Sequence, residues 1–428
     1  MSRPWIGFAG MTHLGLVSAA AVCSKGFPTV CYDADAELVG ELDRGRLAIV
    51  EPGLEELIEA NGDRQTFTGG IGDLGRCDVV YVAADVPTDD EGRSELSGIG
   101  ALIEKVAAAM GEGAVMVVLS QVPPGFTRDL TAVPAERLYY QVETLVFGRA
   151  VERATRPERH IVGCADPDRP LDAAFAEVLE AMDCPLLTMG YESAELAKIS
   201  INMCLVASIS VANTMAELCE KVGAVWPEIV PALKLDERIG PHAYLKPGLG
   251  IAGGNLERDL ATVLRLAETH HTDGGVVRAW IGNSRHRRDW AARTIRAALL
   301  DAKPDATVAV WGLAYKENTD SVRNSPALAT IAQLGEARVR VHDPAVPAHV
   351  AAHPKAERAG DPLEAARGAD ALMILTPWPQ YREIAPAEIA RALSGRVLLD
   401  PYAVLDGKAV AAAGLDYYSL GMAPIRAA

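Results

Sequence analysis

Short valine-rich runs, apolar on both faces, recur along this chain, and each is followed by a stretch of helical period. That alternation leaves few folds open. In the first third, residues 5–9, 29–32, 79–83, 115–119 and 138–142 read as strands, with helical segments such as 16–25 and 99–110 between them. A strand apolar on both faces needs cover on both, which a parallel sheet with crossover helices supplies. Repeated βα units therefore predict a doubly wound parallel sheet. A second series, at 307–311, 339–342, 371–375 and 397–399 with helices such as 326–334, predicts another sheet of the same kind. The expected fold class is α/β, with two Rossmann-like doubly wound parallel-sheet domains joined by a long central helix.

The joining region reads as helical over 191–222 and 255–298, with a loop at 236–254. Residues 192–223 are apolar around much of the helix circumference, so a helix of ~30 residues there needs partners on several sides. We expect it to pack on both domains and on a second copy of the chain, making a homodimer. A chain of 428 residues exceeds what one hydrophobic core serves. The expected domains are 1–188, 189–298 and 299–428.

Charge narrows the partners. With 57 acidic and 41 basic residues the net charge is −16, and no basic stripe is visible, which argues against nucleic acid and anionic membranes. A small anionic ligand stays compatible, since a local pocket can be positive. The longest apolar stretch, 199–212, includes Asn202 and several serines and lies between Lys198 and Glu217; it reads as too short and polar to span a bilayer. Residues 1–4 lead straight into the first strand without a secretory pattern. The seven cysteines are scattered, odd in number and free of CxxC pairs. They read as reduced packing thiols of a cytoplasmic protein, with no metal site. His270-His271, neighbours in sequence, read as solvated surface.

After the first strand comes Gly10-Met11-Thr12-His13-Leu14-Gly15, a GxGxxG run with Thr12 in place of its second glycine. The first glycine permits the tight turn, the second lets backbone reach a pyrophosphate and the third lets helix approach strand. Thr12 puts a branched side chain near the phosphate, although its hydroxyl offers a hydrogen bond. Asp33 ends the next strand, where a carboxylate accepts from ribose hydroxyls and repels a 2′-phosphate. The expected cofactor is NAD.

Further motifs then accumulate in order: Glu51-Pro52-Gly53-Leu54, Ser120-Gln121-Val122-Pro123-Pro124-Gly125, and Ala194-Glu195-Leu196-Ala197-Lys198 with Asn202. They continue with Asp236-Glu237-Arg238-Ile239-Gly240, Gly312-Leu313-Ala314-Tyr315-Lys316, Thr319-Asp320, Arg323-Asn324-Ser325-Pro326, Trp378-Pro379 and Asp400-Pro401. Over essentially its full length the chain resembles the nucleotide-sugar dehydrogenases, the family of UDP-glucose and GDP-mannose dehydrogenases. The resemblance implies an N-terminal NAD-binding domain, a central dimerisation helix and a C-terminal domain that holds the nucleotide. It also implies oxidation of a sugar C6 alcohol to a carboxylate with two NAD, through a cysteine-bound thiohemiacetal and thioester.

Three departures qualify that inheritance. The family's cysteine run corresponds to residues 250–259, and counting back from Asp259 places Asn255 at the cysteine position. An amide nitrogen is no useful nucleophile. In the run 142–148 the first family glutamate survives as Glu143, whereas the second, linked to thioester hydrolysis, is Phe147. A threonine that touches cofactor and catalytic water is here Gln121.

Equipment for a first oxidation remains. Lys198 and Asn202 lie four apart on a helix and share a face. The resemblance gives them the oxyanion and an ordered water, and gives Asp259 the proton; a cation stabilises a developing alkoxide and a carboxylate accepts through water. It further assigns Gly10, Thr12, His13, Leu14, Gly15, Asp33, Gln121 and Arg323 to the cofactor. Glu143, Leu145, Lys198, Asn202, Arg238, Tyr244, Gly253 and Lys316 are assigned to the nucleotide sugar, with Arg238 reaching across the dimer and Ala243 an alternative to Tyr244. Cys204, two residues past Asn202, is turned ~200° away and reads as packing.

The expected function is one two-electron oxidation of a nucleotide sugar, UDP-linked by preference, to an aldehyde or ketone, with Asn255 beside the new carbonyl or its hydrate. Three alternatives stay open: a conventional four-electron UDP-glucose 6-dehydrogenase, an NAD-retaining epimerase and a non-catalytic nucleotide-sugar binder.

Overall fold

The computed structural model describes residues 3–427 except 48, 90 and 91. Of the lead-in at residues 1–4, Met1 and Ser2 therefore lie outside the described residues. By packing, the chain divides into two units, Met1–Ile201 and Asn202–Ala428.

The first unit is built on an eight-stranded sheet: β1 (Ile6–Ala9), β2 (Thr29–Tyr32), β3 (Gln65–Thr68), β4 (Val79–Val82), β5 (Val115–Val118), β6 (Leu138–Gln141), β7 (His160–Cys164) and β8 (Leu186–Gly190). Their order is β3-β2-β1-β4-β5-β6-β7-β8. The order reverses between β1 and β4, which opens a crevice at the carboxyl ends of those strands. Every residue of β1, β2, β4 and β5 is buried, as strands covered on both faces require. On one face Phe8 stacks on Tyr81 with ring centroids 4.7 Å apart, and burying each such ring is worth about 1.5–3 kcal/mol.

The sheet departs from the expected all-parallel arrangement at one place: β7 runs antiparallel to β6, and β8 is parallel to β7. β3, β7 and β8 are not among the strands expected from the sequence. β3 and β8 are edge strands with polar or exposed residues, so they lack the apolar run that marks central strands. β7 is fully buried, but it contains His160 and Gly163, which dilute its pattern.

The second unit holds a six-stranded parallel sheet: β9 (Thr307–Trp311), β10 (Arg338–His342), β11 (Ala356–Arg358), β12 (Ala371–Ile374), β13 (Val397–Leu399) and β14 (Asp416–Tyr418). The order β11-β10-β9-β12-β13-β14 again reverses beside the first strand of the series. The same unit includes the helices Trp226–Leu235, Asn255–Thr269, Gly275–Arg288 and Trp290–Ile295.

A helix of 32 residues, Tyr191–Val222, runs through the division between the units. Judged whole, it is long and apolar enough to cross a membrane by length and composition, which corrects the reading made from the fragment 199–212. The fragment was judged without the helical residues on either side. A core helix of a globular protein passes the same test, and this one buries Glu195, Lys198, Asn202, Ser210 and Asn213. Five of the seven cysteines are buried, but Cys204 on this helix is exposed, so packing within the chain does not account for it. His270 and His271 are exposed.

His160 generates a prediction for stability. Its imidazole is 8% exposed, and burial holds its pKa down from 6.5 to about 4. An unfolded chain takes up that proton near pH 6.5 while the folded one does not, so stability should fall as pH drops from about 6.5 towards about 4, by about 3 kcal/mol in total. Urea titrations across that window should show the loss, and His160→Leu should flatten it. An equally steep acid loss in the variant would contradict this account.

Candidate functional site

The crevice of the first sheet is shaped by two glycines. Gly10 turns the chain from β1 with φ +95°, and a Cβ there would fall 2.7 Å from Cβ of Ala84. At Gly15, inside the helix His13–Ser24, a Cβ would lie 1.8 Å from the Gly10 carbonyl oxygen. Only glycines let this helix sit so close to the strand. Asp33, just past β2, accepts from the Met11 N–H at 2.7 Å and, with its other oxygen, from the Asp35 N–H at 3.0 Å. A tight glycine turn, a carboxylate at the next strand end and an open helix N-terminus suit a dinucleotide.

Thr12 departs from expectation. Its hydroxyl donates to the Ala83 carbonyl (3.4 Å) and accepts from the Asp85 N–H (3.0 Å). Instead of being offered to a phosphate, it ties the turn to the end of β4.

Glu51 explains a motif whose purpose was opaque in sequence. This buried carboxylate accepts from Gly148 N–H (3.0 Å) and Ala150 N–H (2.7 Å), and lies 3.0 Å from Nε2 of His13. It thus joins the loop after β6 to the first turn of the nucleotide-side helix. Phe147 of that loop lies against His13, ring centroids 4.2 Å apart. An apolar ring therefore packs against the first turn of that helix.

Glu143 and Lys198 meet within the first unit. The Lys198 ammonium donates to the Glu143 carbonyl at 2.9 Å and sits 3.0 Å from its carboxylate. Leu145 N–H also donates to that carboxylate. An ammonium has three donors, so one remains for a ligand. Glu195, missed as a site residue, is fully buried and accepts from Gly125 (2.6 Å) and Thr127 (2.9 Å) N–H groups. Burial raises its carboxyl above the ordinary range. It pins the loop that carries Gln121 to the long helix. Its signal in sequence was an acid inside an apolar helical run.

In the second unit Asn202 donates to Asp259 at 2.5 Å, and Arg258, also buried, approaches the other Asp259 oxygen at 3.3 Å. Asn255 is the first residue of the helix Asn255–Thr269 and is exposed. Arg323 lies beside Gly254, where a Cβ would come within 3.1 Å of it, and its carbonyl accepts from Gly253 N–H at 3.1 Å. Asn324 bonds both the Gly253 carbonyl and Glu257. Lys316 is half-buried with its ammonium over the Tyr315 ring, and burial pushes that phenol up to about 12. Asp343, past β10, accepts from Leu313 (2.6 Å) and Ala314 (3.0 Å) N–H groups and from the Trp378 indole at 3.1 Å.

The structure brings the Gly10–Gly15 turn together with Asp33, Glu143 and Leu145 with Lys198, Asn202 with Asp259, and Gly253 with Arg323. Arg238 and Tyr244 stand apart on the loop after the helix Trp226–Leu235, both exposed, and Arg238 pairs with its own neighbour Asp236 at 2.7 Å.

Three domain models of one family match the chain. They are the UDP-glucose/GDP-mannose dehydrogenase NAD binding domain over residues 5–182, the central domain over 192–283 and the UDP binding domain over 309–407. The UDP-glucose 6-dehydrogenase of Pseudomonas aeruginosa is 31% identical, with 96% of each chain covered. The Rhizobium meliloti UDP-glucose 6-dehydrogenase is 30% identical over 97% of this chain and 99% of its own. Among solved structures, a UDP-glucose dehydrogenase from Pyrobaculum islandicum superposes with TM-score 0.86 at 28% identity, covering 99% of this chain and 98% of that one.

The Glu51 hub makes a local prediction. Glu51→Ala should cost about 1–3 kcal/mol, because Gly148 and Ala150 lose a charged acceptor. Hydrogen exchange at those two amides should quicken while β1 amides keep their protection. Unchanged exchange at 148 and 150 would remove Glu51 as the anchor.

Proposed function

This chain belongs to the UDP-glucose/GDP-mannose dehydrogenase family, NAD-dependent enzymes that act on a CH–OH group of nucleotide sugars, and we propose that it performs a single two-electron oxidation of a UDP-sugar alcohol. The product is an aldehyde (or its hydrate) or a ketone, released without a covalent acyl-enzyme.

The observation that carries this reading is Asn255. It stands where the family's run places a sulfur nucleophile, at the head of a helix and exposed, and its side chain makes no hydrogen bond among the described residues. An amide there holds a carbonyl or hydrate by hydrogen bonding and forms no thiohemiacetal. Cys204 is no replacement, being two residues beyond Asn202 and turned ~200° from its face. Phe147 on the nucleotide-side loop supplies no carboxylate for hydrolysis.

Bound NAD supplies the hydride acceptor, and Gly10, His13, Leu14, Gly15, Asp33, Gln121 and Arg323 are the residues we assign to holding it. The substrate contacts are assigned to Glu143, Leu145, Gly253, Tyr244 and Lys316. Lys198, positioned by Glu143, turns its remaining N–H to the oxygen that becomes negative as its proton leaves. Asp259, oriented by Asn202 and Arg258, takes that proton through water.

A second copy of the chain belongs to this reading. Val211, Met215, Leu218 and Val222 are exposed on the long helix, spaced four, three and four apart, which is the repeat of a helix–helix seam. Arg238, 89% exposed in its side chain, is then available to a partner's substrate. Domains at 1–188, 189–298 and 299–428 give these parts their division of labour.

Two experiments test the proposal. NADH formed per sugar consumed should be one, with a product mass two hydrogens below the substrate or that of its hydrate. Two equivalents with a uronate would refute the single oxidation, and product without net NADH would replace it with epimerisation. Light scattering should give twice the chain mass, and Leu218→Arg should lower it towards one chain; a monomeric parent protein would overturn the dimer.

A further inference from the structure

The side chain of Glu51 has no exposed surface, and it belongs to the turn Glu51-Pro52-Gly53-Leu54. That turn is tightly set. Leu54 N–H donates to the Glu51 carbonyl at 3.2 Å, Gly53 takes φ +79° and Leu54 is fully buried. The carboxylate is equally constrained, one oxygen by Ala150 N–H at 2.7 Å and the other by Gly148 N–H at 3.0 Å. The second oxygen also lies 3.0 Å from Nε2 of His13, the first residue of the helix His13–Ser24.

An ionised carboxylate only accepts hydrogen bonds. The ring nitrogen that faces it must therefore carry the hydrogen, and in a neutral imidazole the other nitrogen is then an acceptor. That other nitrogen, Nδ1, makes no bond among the described residues and is not sealed from solvent. The Phe147 ring covers one face of the imidazole, with centroids 4.2 Å apart. The loop that bears Phe147 also bears Glu143, which holds Lys198. His13 thus links the dinucleotide turn with the loop that serves the reacting alcohol.

We propose that Glu51 is a positioning residue for the cofactor: by fixing the hydrogen of His13 on Nε2, it leaves Nδ1 as an acceptor for a donor in the hydride-accepting half of NAD. The donors of that half are ribose hydroxyls and the carboxamide N–H groups. An ionised diphosphate offers only acceptors and is no partner for Nδ1. The inference rests on reading residues 10–15 as the dinucleotide turn, and it gives the His13 side chain a role of its own. Glu51 acts through His13 and touches no ligand itself.

Two measurements on the full chain test this. At about pH 8, where a free imidazole is neutral, nitrogen NMR of the protein without NAD should show the His13 proton on Nε2, the signal being assigned by its loss in His13→Gln. In Glu51→Ala both tautomers should contribute. Titration calorimetry then compares His13→Gln with the parent. A glutamine keeps an N–H for Glu51 but offers no acceptor in place of Nδ1, so NAD should bind about fivefold more weakly, the worth of one neutral hydrogen bond. ADP, which lacks that half of the cofactor, should bind both proteins alike. ADP-ribose tells the donors apart: a loss equal to that of NAD assigns a ribose hydroxyl, and no loss assigns the carboxamide. His13→Asn, with an oxygen near the place of Nδ1, should recover part of the affinity and serves if the glutamine disturbs the turn. A proton on Nδ1 or on both nitrogens, undiminished NAD binding by His13→Gln, or an equal loss with ADP overturns the proposal. If the parent binds neither NAD nor ADP, the dinucleotide turn falls with it; if it binds both and His13→Gln changes nothing, only the His13 role falls.

Discussion

Each unit depends on one aspartate that holds the first turn of its sheet. Asp33 takes the Met11 N–H in the first unit, and Asp343 takes Leu313 and Ala314 N–H groups in the second. Both stand just past the strand on one side of the first, while on its other side, between β1 and β4 and between β9 and β12, the strand order reverses and a crevice must open. A turn there leaves backbone donors that neither helix nor sheet can satisfy. A carboxylate accepts two or more such bonds at once and aims the remaining donors outwards. The glycines follow from this: Gly10 and Gly312 share φ near +95°, and a Cβ on either would run into the chain just past the strand across the crevice, at Ala84 and Thr376.

Buried charge marks the next level of organisation. Glu51, Glu195, Lys198, Arg258 and Asp259 are buried and Glu143 is half-buried, and each is bonded within its own unit. An unpaired buried charge would be costly enough to threaten the fold, so such groups persist only with partners. For Glu51, Glu143 and Glu195 the partners include backbone donors of the loops that bear the candidate site. Stability and site geometry are thus enforced by the same bonds, and the loop after β6 illustrates it. Glu51 holds that loop from one side, while Glu143 within it holds Lys198.

Much of the architecture was legible in the chain because central parallel strands are apolar on both faces, as β1, β2, β4 and β5 are. Edge strands were not. β3 and β8 present polar or exposed residues, and their strand character comes from pairing with a neighbour. The reversed pairing of β7 with β6 was hidden for the same reason, since direction is a property of the pair. Among site residues, the i,i+4 spacing of Lys198 and Asn202 disclosed a shared face. Glu51 and Glu195 disclosed nothing of their targets, which lie 97 and 70 residues away in the chain.

The sequence by itself determined the two wound sheets and the glycine turn with its acidic companion, because periodicity and residue chemistry are local. Tertiary structure decided which donors each polar group answers. Thr12 looked like a phosphate contact and is bound to Ala83 and Asp85, and Cys204 looked like packing and is exposed. A hydroxyl, a carboxylate or a thiol can bond in many ways with similar energy. Only the fold, by bringing distant backbone within 3 Å or leaving a side chain uncovered, selects one.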